Sequence, residues 1–243
     1  MKSYLKGIAA LMLMTAMIVA VGCNPEDDPS NGGDNGNGGF IPEYVDLGLP
    51  SGTLWSTCNL GANTPEDYGD YFAWGDSIPK VIYDWSTYKY CMNGYDKLTK
   101  YCSNSYYGYK GYTDTLSVLE ADDDAASITW GDGWRMPTSA EWEELFQYTE
   151  VSFVRDSVYN LYGIRCTANN TLSIFLPAAG ERYDAGLYGC NRHGSYWSST
   201  LDAELPSRSC YFYFDWDEFR MTHYYRYYGR SVRPVRSAIR TKG

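Results

Sequence analysis

Cys23 closes an apolar run, and that placement gives it the most legible chemistry in the chain. Ala20-Val21-Gly22-Cys23 follows Lys2, Lys6 and an uninterrupted apolar and small-residue stretch from Gly7 to Gly22. A basic start, a short apolar core and small residues before a cut fit an export leader, whereas a stable span needs about 20 apolar residues. The tetrapeptide has the lipobox pattern, in which the thiol is acylated and the cysteine becomes the first mature residue. Residues 1–22 are therefore read as a lipoprotein signal peptide, and Cys23 as the site of lipid attachment.

The other candidate reactive groups form no recognisable catalytic set. Six further cysteines remain, Cys58, Cys91, Cys102, Cys166, Cys190 and Cys210. An even set in an exported chain permits disulfides, and fifteen pairings are open to six cysteines. Cys91 with Cys102 is the first expectation, because the two flank a polar, turn-rich stretch. The chain has no CxxC and no HExxH, and His193 and His223 are its two histidines, so a structural metal site is not expected. A serine triad would need one of those histidines and a GxSxG elbow, which is missing. A two-carboxylate glycosidase leaves no fixed spacing to search for. Asp122-Asp123-Asp124 and Asp215-Trp216-Asp217-Glu218 could offer hard oxygen ligands to calcium, although such runs are more often solvated turns. No catalytic residue is assigned, and no cofactor beyond that calcium alternative.

What the chain has in excess is tyrosine, 25 of them, with 8 tryptophans, enough to demand an account beyond core filling. Tyrosine gives a stiff, amphipathic contact surface at low entropic cost. The densest run is Met221-Thr222-His223-Tyr224-Tyr225-Arg226-Tyr227-Tyr228, and strand alternation cannot bury all of it. Trp216, His223, Tyr224, Tyr225, Arg226, Tyr227 and Tyr228 are the expected ligand-binding residues. The alternative is a set of strands whose tyrosines are half-buried.

The elements that must carry these groups follow from composition and pattern. Residues 23–39 are acidic at Glu26, Asp27 and Asp28 and then rich in Gly, Asn and Ser, so they are read as a lipidated flexible tether. Residues 40–243 form one domain, with no second linker. Lys+Arg 20 against Asp+Glu 30 argues against nucleic acid and against anionic lipid as partners. Thr138-Ser139-Ala140-Glu141 is a capping box, and Trp142, Leu145 and Phe146 recur at helical spacing, which predicts a helix from Ser139 to about Tyr148. A second helix is expected around 116–126. Strands are expected at 44–47, 54–58, 71–74, 172–176, 195–199, 209–215, 219–225 and 230–235. In 210–215 the alternation puts Cys210, Phe212 and Phe214 on the core face. Asp215 to Glu218 would be the turn into the next strand.

Five motifs, in order, resemble the Fibrobacter succinogenes major paralogous domain family. They are Glu43-Tyr44-Val45-Asp46-Leu47-Gly48-Leu49-Pro50-Ser51-Gly52-Thr53-Leu54-Trp55, Tyr68-Gly69-Asp70-Tyr71-Phe72-Ala73-Trp74-Gly75, Gly133-Trp134-Arg135-Met136-Pro137-Thr138, Gly194-Ser195-Tyr196-Trp197-Ser198-Ser199-Thr200 and Gly229-Arg230-Ser231-Val232-Arg233-Pro234-Val235. That family looks like a branch of the C-type-lectin-like fold, related to formylglycine-generating enzymes and to variable receptor-binding proteins. The resemblance implies an α+β fold: short twisted antiparallel strands, one or two helices, and long loops that carry recognition. It also places ligand contacts of the receptor-binding proteins in this late region. The acidic residues after Cys23 resemble the surface-export signal of Bacteroides-type lipoproteins, which implies a lipid-anchored outer-membrane protein facing outward.

Within those motifs Trp134, Arg135, Trp197 and Arg233 are read as scaffold, with an arginine fork tied to a helix carboxylate such as Glu141 or Glu144. The copper-binding cysteine pair of the related oxidases has no match, since Cys190 and Cys210 lie in a different context. The Glu-Pro-Asn and Trp-Asn-Asp signatures of calcium-dependent lectins do not occur. The expectation is a cell-surface, non-catalytic binding module for a glycan or a protein. A structural or accessory subunit of a surface assembly, like a fimbrial tip, is the alternative, and a hydrolase or oxidase stands third.

Overall fold

The computed structural model describes residues 42–131, 133–158 and 160–238. The leader, Cys23 and the tether lie outside the described residues. Four small antiparallel sheets and two short α-helices make a mostly-β member of the α+β class. The first sheet joins β1 (Tyr44–Val45), β2 (Thr53–Ser56) and β11 (Val235–Ser237), so the two ends of the domain are hydrogen-bonded to each other. The second is a meander of β3 (Thr149–Asp156), β4 (Leu161–Ala168) and β5 (Ser173–Pro177). A tight hairpin pairs β6 (Glu181–Tyr183) with β7 (Gly186–Tyr188). The last is a meander of β8 (Gly194–Leu201), β9 (Arg208–Phe214) and β10 (Phe219–Tyr225). No helix among the described residues is long and apolar enough to cross a membrane.

The predicted helix is α2 (Ser139–Tyr148), and both halves of its capping box form: Thr138 accepts from the Glu141 amide while Glu141 accepts from the Thr138 amide. Its apolar stripe is buried in the core. Trp142 stacks on Phe212 at 5.0 Å between ring centroids, and Phe146 meets the same ring at 4.2 Å. Phe212 and Phe214 are fully buried, as the alternation of β9 requires, while Cys210 is half-buried. Glu141 also holds Arg135 through a two-pronged ion pair and accepts from the Thr53 hydroxyl at 3.0 Å. Burial pushes the Glu141 carboxyl up, but Arg135, the Thr138 amide and Thr53 together draw it below the ordinary value.

The other scaffold residues are buried too. Trp134 and Trp197 are in the core, and Arg233 directs its guanidinium at Asn59 Oδ1 (2.9 Å) and at the Ser56, Thr57 and Phe175 carbonyls. Arg233 thereby stitches β2, β5 and the last loop together. A buried arginine with this many acceptors holds irregular chain where no sheet ladder can.

Several expectations need correction. The second helix, α1, runs Ala125–Trp130 and not 116–126. Asp124 is its N-cap, accepting from the Ala126 and Ser127 amides, so the helix cannot begin earlier. Upstream, Val118 bridges Thr200 and the Leu119 amide bonds to Ser199, which holds that segment extended. The expected strands at 71–74 and 230–235 reduce to isolated bridges, Phe72 with Arg230 and Ser231 with Tyr196, and β11 begins only at Val235. The β3–β4 hairpin was not expected, nor was the β6–β7 hairpin. Cys91 and Cys102 are not joined: the Cys91 thiol donates to the Trp85 carbonyl at 3.0 Å and the Cys102 thiol to that of Asn104 at 3.2 Å.

Residues 57–120 contain no α-helix or strand, only a 3-10 turn at Tyr109–Gly111, and are held by polar hubs. Asp123, almost completely buried, accepts from Tyr101 Oη (2.6 Å), Lys100 Nζ (2.6 Å), Lys89 Nζ (3.1 Å) and Tyr90 Oη. Burial opposes its charge, yet these four donors together hold its carboxyl far below the usual range. The oxygens of Asp123 and Asp124 are thus engaged by protein donors, and of the three carboxylates in this run Asp122 alone is exposed.

Candidate aromatic recognition surface

The expected recognition residues separate into four places. Trp216 stands in the β9–β10 turn and is 76% exposed. That turn is shaped by Asp215, whose Oδ1 accepts from the Asp217 and Glu218 amides. The length of β10, seven residues or roughly 20 Å, separates Trp216 from the tyrosines at the other end. His223 and Tyr224 are neighbours on one strand and so leave it on opposite faces. His223 lies opposite Cys210 and reaches toward Asp202, 3.9 Å from its Oδ2.

Arg226 is the clear correction. It is fully buried, bonds the Lys100 and Tyr101 carbonyls, and lies over the rings of Trp74 and Tyr88 at 5.5 and 5.3 Å. It supports the surface from beneath, where no part of it is exposed. Flanking aromatic residues gave no sign of this in the sequence. The backbone turns inward after Tyr225, where the Trp74 amide bonds the Arg226 carbonyl.

Tyr224, Tyr225, Tyr227 and Tyr228 do converge. Tyr224 meets Tyr225 at 5.0 Å and Tyr228 at 4.9 Å, and Tyr227 meets Tyr228 at 4.9 Å. Trp85, from the long loop, closes one end against Tyr227 at 5.0 Å and Tyr225 at 5.8 Å. The other end continues into the β6–β7 hairpin. Tyr183 lies 5.5 Å from Tyr228 and stacks on Tyr188 at 3.9 Å, with their planes 10° apart. Seven rings from three chain segments therefore form one continuous surface. Tyr188, Tyr224 and Tyr225 are exposed at its outer edge, and the remaining rings are half-buried beneath them.

Two features hold the rings in place. Gly186 pairs with Tyr183 across the hairpin, and a Cβ there would lie 2.4 Å from the Tyr188 ring, so only glycine lets that ring fold back onto Tyr183. Under the tyrosines sits Arg230, 1% exposed, its guanidinium 3.7 Å from the Tyr211 ring centroid, 4.4 Å from Trp197 and 5.1 Å from Tyr228. Its Nη2 donates to Glu181 at 2.7 Å, which ties β6 to the last loop. The Nε and Nη1 groups have no hydrogen-bond partner among the described residues, and ring faces surround them instead. Burial raises the phenol pKa of Tyr227 and Tyr228, so both rings stay neutral across the physiological range.

Tyr183, Tyr188 and Trp85 escaped the sequence reading. A signal was available for the first two: Glu181-Arg182-Tyr183-Asp184-Ala185-Gly186-Leu187-Tyr188 alternates on either side of an Asp-Ala-Gly turn, which is hairpin chemistry. Trp85 sits in an irregular loop, and no spacing rule could bring it here.

The surface holds rings and neutral hydroxyls, suited to packing and hydrogen bonding. Among the described residues no group of three or more His, Cys, Asp and Glu side chains converges as a metal site. His193 is half-buried beside Tyr213, 5.4 Å between rings, and burial lowers its pKa. Comparison with family models, with curated proteins and with solved structures found no match to this chain.

Proposed function

We propose that the protein is a lipid-anchored, outward-facing binding module of the bacterial outer membrane, with a C-type-lectin-like fold, that recognises a glycan or a protein without catalysing a reaction. The observation that carries this reading is the continuous aromatic surface of Trp85, Tyr183, Tyr188, Tyr224, Tyr225, Tyr227 and Tyr228. Exposed rings cost free energy in water unless a partner covers them, and a handful of aromatic anchors dominates most recognition surfaces. Here the rings are also held rigid, by Arg230 beneath and by stacking at the side, so little ordering entropy remains to be lost on binding.

Cys23 and the tether of residues 23–39 support display away from the membrane surface. The test is a screen of the full chain against immobilised glycans and envelope proteins, run in parallel with a Tyr188→Ala, Tyr224→Ala double variant. Ligands retained by the parent and lost by a variant of unchanged thermal stability support the proposal. Ligands retained equally by both place recognition elsewhere.

A further inference from the structure

Beside the aromatic surface, on the other side of the β6–β7 hairpin, lies a cleft of about 340 Å³. Asp70, Tyr71, Lys80, Val81, Tyr83 and Arg182 contribute to its walls. Its size is at the lower end of small-ligand sites, which run from roughly 300 to 1,000 Å³. Two of its groups have opposite charge. Arg182 lays its guanidinium over the Tyr71 ring at 5.1 Å, and its side chain has no hydrogen-bond or ion-pair partner among the described residues. The Asp70 carboxylate likewise has none among the described residues, and these two do not pair with each other.

Lys80 is already engaged, by Asp76 at 2.5 Å and by the Thr87 carbonyl. Tyr71 and Tyr83 use their hydroxyls inward, donating to the carbonyls of Ala179 and Tyr71. The open polar groups of the cleft are thus one acceptor set and one donor set. Asp70 is also positioned by design of the backbone: Gly61 has φ +81°, and a Cβ there would lie 2.4 Å from Asp70 Oδ2. Glycine at 61 is what lets the carboxylate lie where it does.

We infer that this cleft takes a neutral pyranose, one hydroxyl donating to Asp70 and a neighbouring hydroxyl accepting from Arg182, as the terminal unit of a glycan whose chain crosses the hairpin onto the tyrosines. The inference rests on the binding-module reading and names its ligand class. An anion would meet the Asp70 carboxylate, and a cation would meet Arg182. An apolar group would leave both desolvated and unpaired, which is costly. Vicinal hydroxyls supply a donor and an acceptor on adjacent atoms with no charge. The continuity is short, because Arg182 and Ala185 line the cleft while Tyr183, between them, stacks with Tyr188 and Tyr228 on the far side.

The test uses the full chain in a detergent that carries no sugar, with the methyl glycosides of mannose, glucose and galactose and their linear tetrasaccharides as probes. Saturation-transfer NMR detects binding and calorimetry measures it. At least one methyl glycoside is expected to bind, and Asp70→Asn and Arg182→Met each to weaken it by about tenfold, equivalent to about 1.4 kcal/mol. Tyr188→Ala should weaken the matching tetrasaccharide by a larger factor than the monosaccharide. Thermal unfolding of Asp70→Asn should match the parent, since this side chain is exposed.

Silence from the whole panel overturns the inference. So does competition by glycine, whose amine and carboxylate would pair with Asp70 and Arg182 and mark an amino-acid site. If tetrasaccharide or protein binding falls in Tyr188→Ala but not in Asp70→Asn, the aromatic surface stands and the cleft assignment fails. If monosaccharide binding falls in Asp70→Asn while Tyr188→Ala alters nothing, the cleft stands and the aromatic reading fails.

Discussion

Replacing Asp123 with asparagine keeps the shape of the side chain and removes the charge around which the long loop is organised. Four donors converge on its two oxygens, from Tyr90, Tyr101, Lys89 and Lys100, and its side chain is 5% exposed. A hydrogen bond to a charged group contributes roughly 1.5–3 kcal/mol when its partner is buried, as Tyr90 and Tyr101 are. Lys89 is 41% exposed and adds little after solvent screening. Asparagine can still accept on one atom, so the expected loss is about 3 kcal/mol, or a fall in Tm of about 6–12 °C for a domain of this size.

The same substitution has a pH signature. Asp123 titrates well below the unfolded value near 3.9, so its contribution is complete above about pH 5 and is lost as the pH falls toward the folded value. Thermal unfolding of parent and Asp123→Asn followed by circular dichroism from pH 7 to pH 2.5 should show two curves that converge on the acid side. A difference in Tm under about 2 °C at pH 7, or a gap that widens on acidification, would refute the hub assignment.

Three other outcomes follow from the same contacts. Phe212→Ala, which removes the ring between Trp142 and Phe146, should cost about 3–5 kcal/mol by equilibrium denaturation; a cost under about 1 kcal/mol would mean the core repacks freely. Gly61→Ala, at φ +81°, should lower stability by about 1–2 kcal/mol and weaken sugar binding together, because the new Cβ displaces Asp70; unchanged binding would detach Asp70 from the cleft. Cys23→Ala should abolish incorporation of labelled fatty acid and release the protein from the membrane fraction, and persistent labelling would contradict acylation at this residue.

Local signals were legible where the physics is local. The Thr138–Glu141 capping box located α2, and strict alternation over Cys210 to Asp215 identified Phe212 and Phe214 as core. Arg135 finds Glu141 six residues away, within reach of a reading that pairs a fork with a helix carboxylate. What failed depends on contacts distant in sequence. Tyr71 to Trp74 have strand composition, but their backbone pairs only at two separate points, Phe72 with Arg230 and Trp74 with Arg226, so no strand grows. Arg226 lies amid surface tyrosines and is buried because the carbonyls of Lys100 and Tyr101, 126 and 125 residues distant, wait for it. The aromatic surface was half visible: Tyr224, Tyr225, Tyr227 and Tyr228 stood out by density, whereas Trp85 joins them through an irregular loop. Tyr183 and Tyr188 belong to a hairpin of two three-residue strands, marked in the sequence only by its Asp-Ala-Gly turn and brief alternation.

The most direct test of the binding reading is the affinity of the full chain and of its Tyr188→Ala variant for the ligand that the glycan and protein screen retains most strongly. Tyr188 is 42% exposed and stacked on Tyr183, so truncation uncovers an anchor without opening the core. An equal Tm is expected, with a Kd raised about thirtyfold, the effect of losing roughly 2 kcal/mol at a recognition anchor. An unchanged Kd at equal Tm would contradict it.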